Sequence, residues 1–150
     1  MKIASSLYER YQKEIKKQLQ KELGIKNIME VPHIKKICVN IGIGSYLQKL
    51  SSKNYEFVEE NARLITGQKP TVRKAKKSVS NFKLREGQPV GISVTLRSQA
   101  AYNFIDKLIH VVYPRVRDFR GVSPQSFDQE GNCSIGFNDH TVFPEAVPPE

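Results

Sequence analysis

Hydrophobic positions recur with two different periods along the chain. Leu7, Tyr11, Ile15, Leu19 and Leu23 fall every four residues, which lines one face of a helix. Ser6 followed by Glu9 reads as a capping box at its start, and Gly24 as its C-cap. Past Pro32 the period drops to two. Ile37, Val39 and Ile41 fall on one side of a strand, Lys36, Cys38 and Asn40 on the other. A second helix is expected from Ser52 to Thr66, with Phe57, Val58, Ala62 and Ile65 on one stripe, stopping at Gly67 before Pro70.

Strand signals then return. Thr71 to Ala75 is β-compatible. Phe82 and Leu84 alternate with Asn81, Lys83 and Arg85, and Glu86-Gly87-Gln88-Pro89 supplies a turn into Ile92, Val94 and Leu96. The simplest reading is a hairpin over 81–96. Ser98 caps a third helix whose apolar stripe is Phe104, Ile105, Leu108, Ile109 and Val112, ended by Pro114. The remainder is rich in Gly, Ser, Asp and Asn, with strand-like runs at Ser134 to Phe137 and Thr141 to Phe143 among irregular loops.

These elements sum to a single two-layer α+β domain over 1–150, with a largely antiparallel sheet and helices on one face only. Ile37, Val39, Ile41, Phe82, Leu84, Ile92, Val94 and Leu96 are expected to meet the helices. Lys36, Asn40, Lys83, Arg85, Ser93, Thr95 and Arg97 are left on a polar, basic open face.

Composition gives that face a partner. The chain has 150 residues, 24 Lys+Arg against 15 Asp+Glu, and a net charge of +9, which favours a polyanion over a membrane surface. The charge is polarised. Lys69, Arg73, Lys74, Lys76, Lys77, Lys83 and Arg85 follow one another with no acid between them, whereas 121–150 contains no Lys or Arg. A face of cations with Asn40 and Thr95 among them suits phosphates, sugars and base edges. It carries no aromatic platform, which favours recognition of RNA shape over stacked single strands. The run from Arg73 to Asn81 is too polar for core and reads as a projecting, mobile basic loop.

Other chemistries find less support. Cys38 and Cys133 have no ligand-like spacing, so neither a disulfide scaffold nor a zinc ribbon is expected. Gly42-Ile43-Gly44 lacks the third glycine of a dinucleotide fingerprint, and Gly67-Gln68-Lys69-Pro70 lacks the Walker spacing. His33, His110 and His140 are scattered, and Asp128, Glu130, Asp139 and His140 match no metal or hydrolytic pattern, so no cofactor or metal is expected. The N-terminus has no apolar h-region, and no run reaches membrane-spanning length. The cytosol or an organelle interior is the expected setting.

Ordered motifs then point to one family. Val39-Asn40-Ile41-Gly42-Ile43-Gly44, Thr66-Gly67-Gln68-Lys69-Pro70, Lys74-Ala75-Lys76-Lys77-Ser78-Val79, Phe82-Lys83-Leu84-Arg85-Glu86-Gly87, Val94-Thr95-Leu96-Arg97, Pro114 to Gly121 and Phe143-Pro144-Glu145 together resemble the bacterial-type large-subunit ribosomal protein five family over essentially the whole chain. The resemblance implies a non-catalytic protein that attaches 5S rRNA to 23S rRNA in the large subunit of a cytoplasmic or organellar ribosome. It also implies contacts with P-site tRNA, small-subunit ribosomal protein thirteen and other 5S rRNA-binding ribosomal proteins.

The family's 5S contacts carry over to Asn40, Gln68 and Thr95, joined here by Lys36, Arg73, Lys83, Arg85 and Arg97 from the charge pattern. Its tRNA-contacting loop carries over to Lys76, Lys77, Ser78, Val79, Ser80, Asn81 and Phe82, and its bridge surface to the loops from Arg115 to Asn138. Family members continue past the Phe-Pro-Glu motif into a final strand, so the sheet is expected to be one strand short.

Overall fold

A computed structural model describes residues 6–44, 46–47 and 55–146. Helix α1 runs through Leu7–Arg10, Tyr11–Ile15 and Lys16–Glu22, the middle stretch wound as a π turn, and gives way to Gly24 at φ +64. Strand β1 is Ile37–Gly42, helix α2 Glu56–Thr66, strand β2 Thr71–Lys74 and strand β3 Pro89–Leu96. Helix α3, Gln99–Lys107, continues through a π turn, Leu108–Val112, into a 3-10 turn, Tyr113–Arg115.

The three strands form one antiparallel sheet in the order β1-β3-β2. Their alternation puts Ile92, Val94 and Leu96 inward, at 1%, 3% and 1% exposure, which stabilises the fold by about 1.5–3 kcal/mol per side chain. Ile65 of α2 and Ala101, Phe104, Leu108 and Val112 of α3 close over Val94 and Leu96, and Ile43, Leu47 and Ala62 over Ile92. Helices therefore cover one face, as the periodicity predicts. Gly67 ends α2 in the left-handed region at φ +69, where its N–H donates to the Arg63 carbonyl at 2.8 Å, the conformation glycine adopts without a Cβ penalty. Ser52 to Asn54, the expected start of that helix, lie outside the described residues.

Several expectations are corrected. The partner of β3 on its second side is β2, not a strand over 81–85. With β1 and β2 on its two flanks, β3 has no edge left for a third strand, so the chain at 81–85 stays in the connection. Phe82 is 72% exposed and Leu84 forms only an isolated bridge with Val79; neither joins the core. Ser6 and Ser98 occupy N-cap positions but make no side-chain cap bond. The Ser6 hydroxyl is buried instead, so the capping box does not form.

Ser134 to Phe137 is not a strand, and His140–Val142 is a 3-10 turn. Phe143 turns inward against Phe104 and Phe137. The apolar residues of this tail serve as single anchors for loops rather than as an alternating ladder. Lys107 secures the same region, its Nζ donating to the Ile65 carbonyl at 2.8 Å and pairing with Glu145 at 2.9 Å. Among the described residues no helix is long and apolar enough to cross a membrane.

Candidate nucleic-acid interface

The outer face of the sheet is built by parity. Cys38, Asn40 and Gly42 of β1 point away from the helices. So do Gly91, Ser93 and Thr95 of β3 and Thr71 and Arg73 of β2. The register lays them in rows: Cys38 opposite Thr95, then Asn40-Ser93-Thr71, then Gly42-Gly91-Arg73. Asn40 and Thr95 are diagonal neighbours, about 7–8 Å apart. Lys36 and Arg97, both exposed, continue this parity one step beyond the strand ends. None of these positions carries an acid.

Arg73 is fixed in place. Its Nε donates to the Ser93 Oγ at 2.8 Å, which leaves both Nη groups for a bidentate phosphate contact. The bulge after Arg73 pairs Lys74 with Pro89, in parity with Gly91, so Lys74 joins Arg73 on this face; the other side chains on its strands are small, and an incoming polyanion meets a low surface edged by cations. Thr71, Gly42 and Gly91 join the face without being expected there. The alternation of Thr71 and Arg73 around half-buried Val72 is the signal that a short edge strand runs through them.

The remaining expected residues distribute differently. Gln68 is exposed in the turn between α2 and β2, where its backbone N–H donates to the Thr66 Oγ1 at 3.4 Å. It precedes the edge strand β2 by three residues. Lys83 and Arg85 are not on the sheet face. They belong to the β2–β3 connection, Lys83 in the left-handed region at φ +51, because no strand forms there.

Lys76, Lys77, Ser78, Val79, Ser80, Asn81 and Phe82 lie in that connection, all exposed. It is more structured than a free basic tract. Ala75 N–H donates to the Gln88 carbonyl at 2.8 Å, Gly87 N–H to Ala75 at 3.0 Å, and Val79 and Leu84 exchange bonds of 3.0 and 3.1 Å. Glu86 N–H reaches the Ser78 Oγ at 2.9 Å, and Ser80–Phe82 forms a 3-10 tip. In hydrogen exchange of the isolated protein, the Ala75, Val79, Leu84 and Gly87 amides are expected to exchange more slowly than unstructured peptide. Random-coil rates at all four would show that these bonds do not persist in solution.

The acidic tail is occupied with its own turns. The Asp128 carboxylate accepts from the Asn132 N–H at 2.7 Å, Asn132 Nδ2 at 2.8 Å and the Glu130 N–H at 3.0 Å. The Asn132 bonds hold its carboxyl below the usual range. Asp139 is held low in the same way by Thr141.

Two family models match the chain, one described as Ribosomal protein L5 over residues 27–85 and one as the C-terminus of the same ribosomal family over 89–148. The large ribosomal subunit protein uL5 of Natranaerobius thermophilus is 53% identical over 139 residues, covering 93% of this chain and 76% of that protein. The chain belongs to the ribosomal protein L5 family. The uL5 of Thermotoga maritima is 50% identical over 147 residues, covering 96% of this chain and 77% of its own length. L5 proteins are structural, not enzymatic, so this chain is a ribosomal protein rather than a catalyst. The two L5 segments are not separate bodies here, since β3 of the second is the central strand between β1 and β2 of the first.

Proposed function

We propose that this L5 protein is an rRNA-binding structural constituent of the large ribosomal subunit whose open sheet face docks 5S rRNA. The observation that carries the reading is the row structure of that face: Asn40 and Thr95 are diagonal neighbours on adjacent strands, on an acid-free surface edged by Lys36, Arg73 and Arg97. Cations there neutralise phosphates and set register, while Asn40 and Thr95 hydrogen-bond sugar or base edges. Gln68 extends the contact beyond β2.

The same reading assigns the bonded tip of 76–82 to P-site tRNA, with Lys83 and Arg85 adding charge at its base. It assigns the loops after Arg115 to small-subunit protein thirteen, and it has 23S rRNA and the other 5S-binding proteins complete the assembly in the cytoplasm.

The test is affinity for folded 5S rRNA against an unrelated RNA duplex over a salt series. The wild type is expected to prefer 5S rRNA. Asn40→Ala and Thr95→Ala are each expected to weaken it by about 1 kcal/mol, the worth of one hydrogen bond, with an unchanged salt slope. Arg73→Ala is expected to flatten the slope of log K against log salt by about 0.7–0.9, one phosphate fewer. Equal binding to both RNAs, indifferent to Asn40 and Thr95, would reject the sheet-face site.

A further inference from the structure

A cleft of about 370 Å³ opens between α1, the segment leading into β1 and the start of α3, a size suited to a small ligand. Tyrosines back it. Tyr8 meets Tyr102 edge to face at 5.4 Å between ring centroids, and Tyr11 lies tilted on Tyr102 at 5.2 Å. The facing wall is pinned to those rings. The Tyr11 hydroxyl donates to the Pro32 carbonyl at 2.7 Å, and the Ile34 N–H donates to the Tyr102 hydroxyl at 3.3 Å. Burial, with Tyr102 close by, raises the Tyr11 phenol above its ordinary range. The cleft is preformed, which spares a ligand the cost of assembling it.

Its rim is cationic. Lys16 and Lys35 line it, and among the described residues no Asp or Glu does. At its edge Met29 leaves a large apolar side chain 78% exposed. Lys35 and Ser98, both lining residues, are the chain neighbours of Lys36 and Arg97, so the cleft lies on the helix-covered side at the end of the sheet where those two cations stand.

We propose that this cleft receives one unstacked nucleotide of RNA, its base against Tyr8 and Met29 and its phosphate at Lys16 and Lys35. The inference rests on RNA being the partner of the sheet face and adds a second, separable contact to it. An aromatic and thioether surface pairs with the apolar face of a base, and splayed bases stack on aromatic side chains in RNA recognition. Two lysines without a carboxylate fit the phosphate attached to that base. A neutral apolar ligand would leave the lysines unused, and an acidic peptide would leave the tyrosine wall unused.

The experiment is an NMR titration of the full chain with AMP and, separately, with ribose 5-phosphate. AMP is expected to shift Tyr8, Gln12 and His33 saturably, and ribose 5-phosphate to bind about tenfold more weakly because it lacks the base. Tyr8→Ala should erase the preference for AMP. Lys35→Glu, at an exposed position that the fold does not need, should weaken both ligands. The proposal is overturned by shifts on the sheet face alone, by equal binding of the two probes, or by titrations that neither substitution alters. Loss of the AMP response with 5S binding intact removes the cleft and spares the sheet face. A normal AMP response with 5S binding indifferent to Asn40→Ala and Thr95→Ala does the reverse.

Discussion

Leu96→Ala is expected to lower the free energy of unfolding by about 2–5 kcal/mol, a large fraction of the stability of a domain this size. Leu96 is 1% exposed at the end of β3 and packs with Val94, Ala101, Phe104, Leu108 and Val112. Truncation removes the transfer energy of the side chain and leaves a cavity whose cost depends on how far the walls relax. Here they are held. Leu96 stands opposite Ile37 of β1, and β2 pairs β3 only as far as Ser93, so at Leu96 an inward move of β3 has to carry β1 with it. Urea denaturation with an unchanged m-value checks this. A loss under about 1 kcal/mol would contradict the packing of α3 on β3.

Gly42→Thr is expected to do the opposite, sparing the fold and impairing RNA binding. A Cβ at Gly42 would meet nothing within 4 Å, and its backbone has no positive φ. The protein itself thus makes no demand for glycine there, and a strand interior ordinarily disfavours it. A β-favouring threonine is expected to leave the urea midpoint unchanged or slightly raised. Yet Gly42 pairs with Gly91, and Gly91 with Arg73, in the barest row of the open face. RNA seated against that row would collide with the new branched side chain. Overpacking costs typically about 1–3 kcal/mol, and the affinity for 5S rRNA is expected to fall by that amount. Full affinity in a stable Gly42→Thr protein would place the RNA elsewhere.

Much of this architecture was legible in the alternation of apolar residues. Ile37, Val39 and Ile41, and later Ile92, Val94 and Leu96, announce half-buried strands because each has a helix layer on one side and an open face on the other. The family motifs single out Asn40 and Thr95, which the register makes diagonal neighbours on adjacent strands. The failures have a common physical origin. Phe82 and Leu84 alternate as convincingly as a strand, but the second flank of β3 is taken by β2, a weaker signal of four residues. Lys83 and Arg85 left the face with them. Ile135 and Phe137 misled in the same way, since Phe137 packs singly against Phe143 and Tyr113. Caps at Ser6 and Ser98 were correct in position and wrong in bonding, because a hydroxyl's direction is set by its surroundings rather than by spacing. The aromatic cleft could not be read at all, being assembled from Tyr8, Met29, His33 and Tyr102, which no short motif connects.

The strand order carries one more consequence, for the protein's own synthesis. β1 and β2 emerge first but never touch each other; each waits for β3, which lies between them and is translated last. Until the chain beyond Leu96 has left the exit tunnel, both early strands expose unsatisfied backbone and apolar side chains, and the nascent chain has no sheet to close. Closure of the sheet therefore waits until β3 and the helix that follows and covers it have both emerged. The early segment also holds most of the basic residues, and like charge of this kind opposes the clumping of strands that still lack partners.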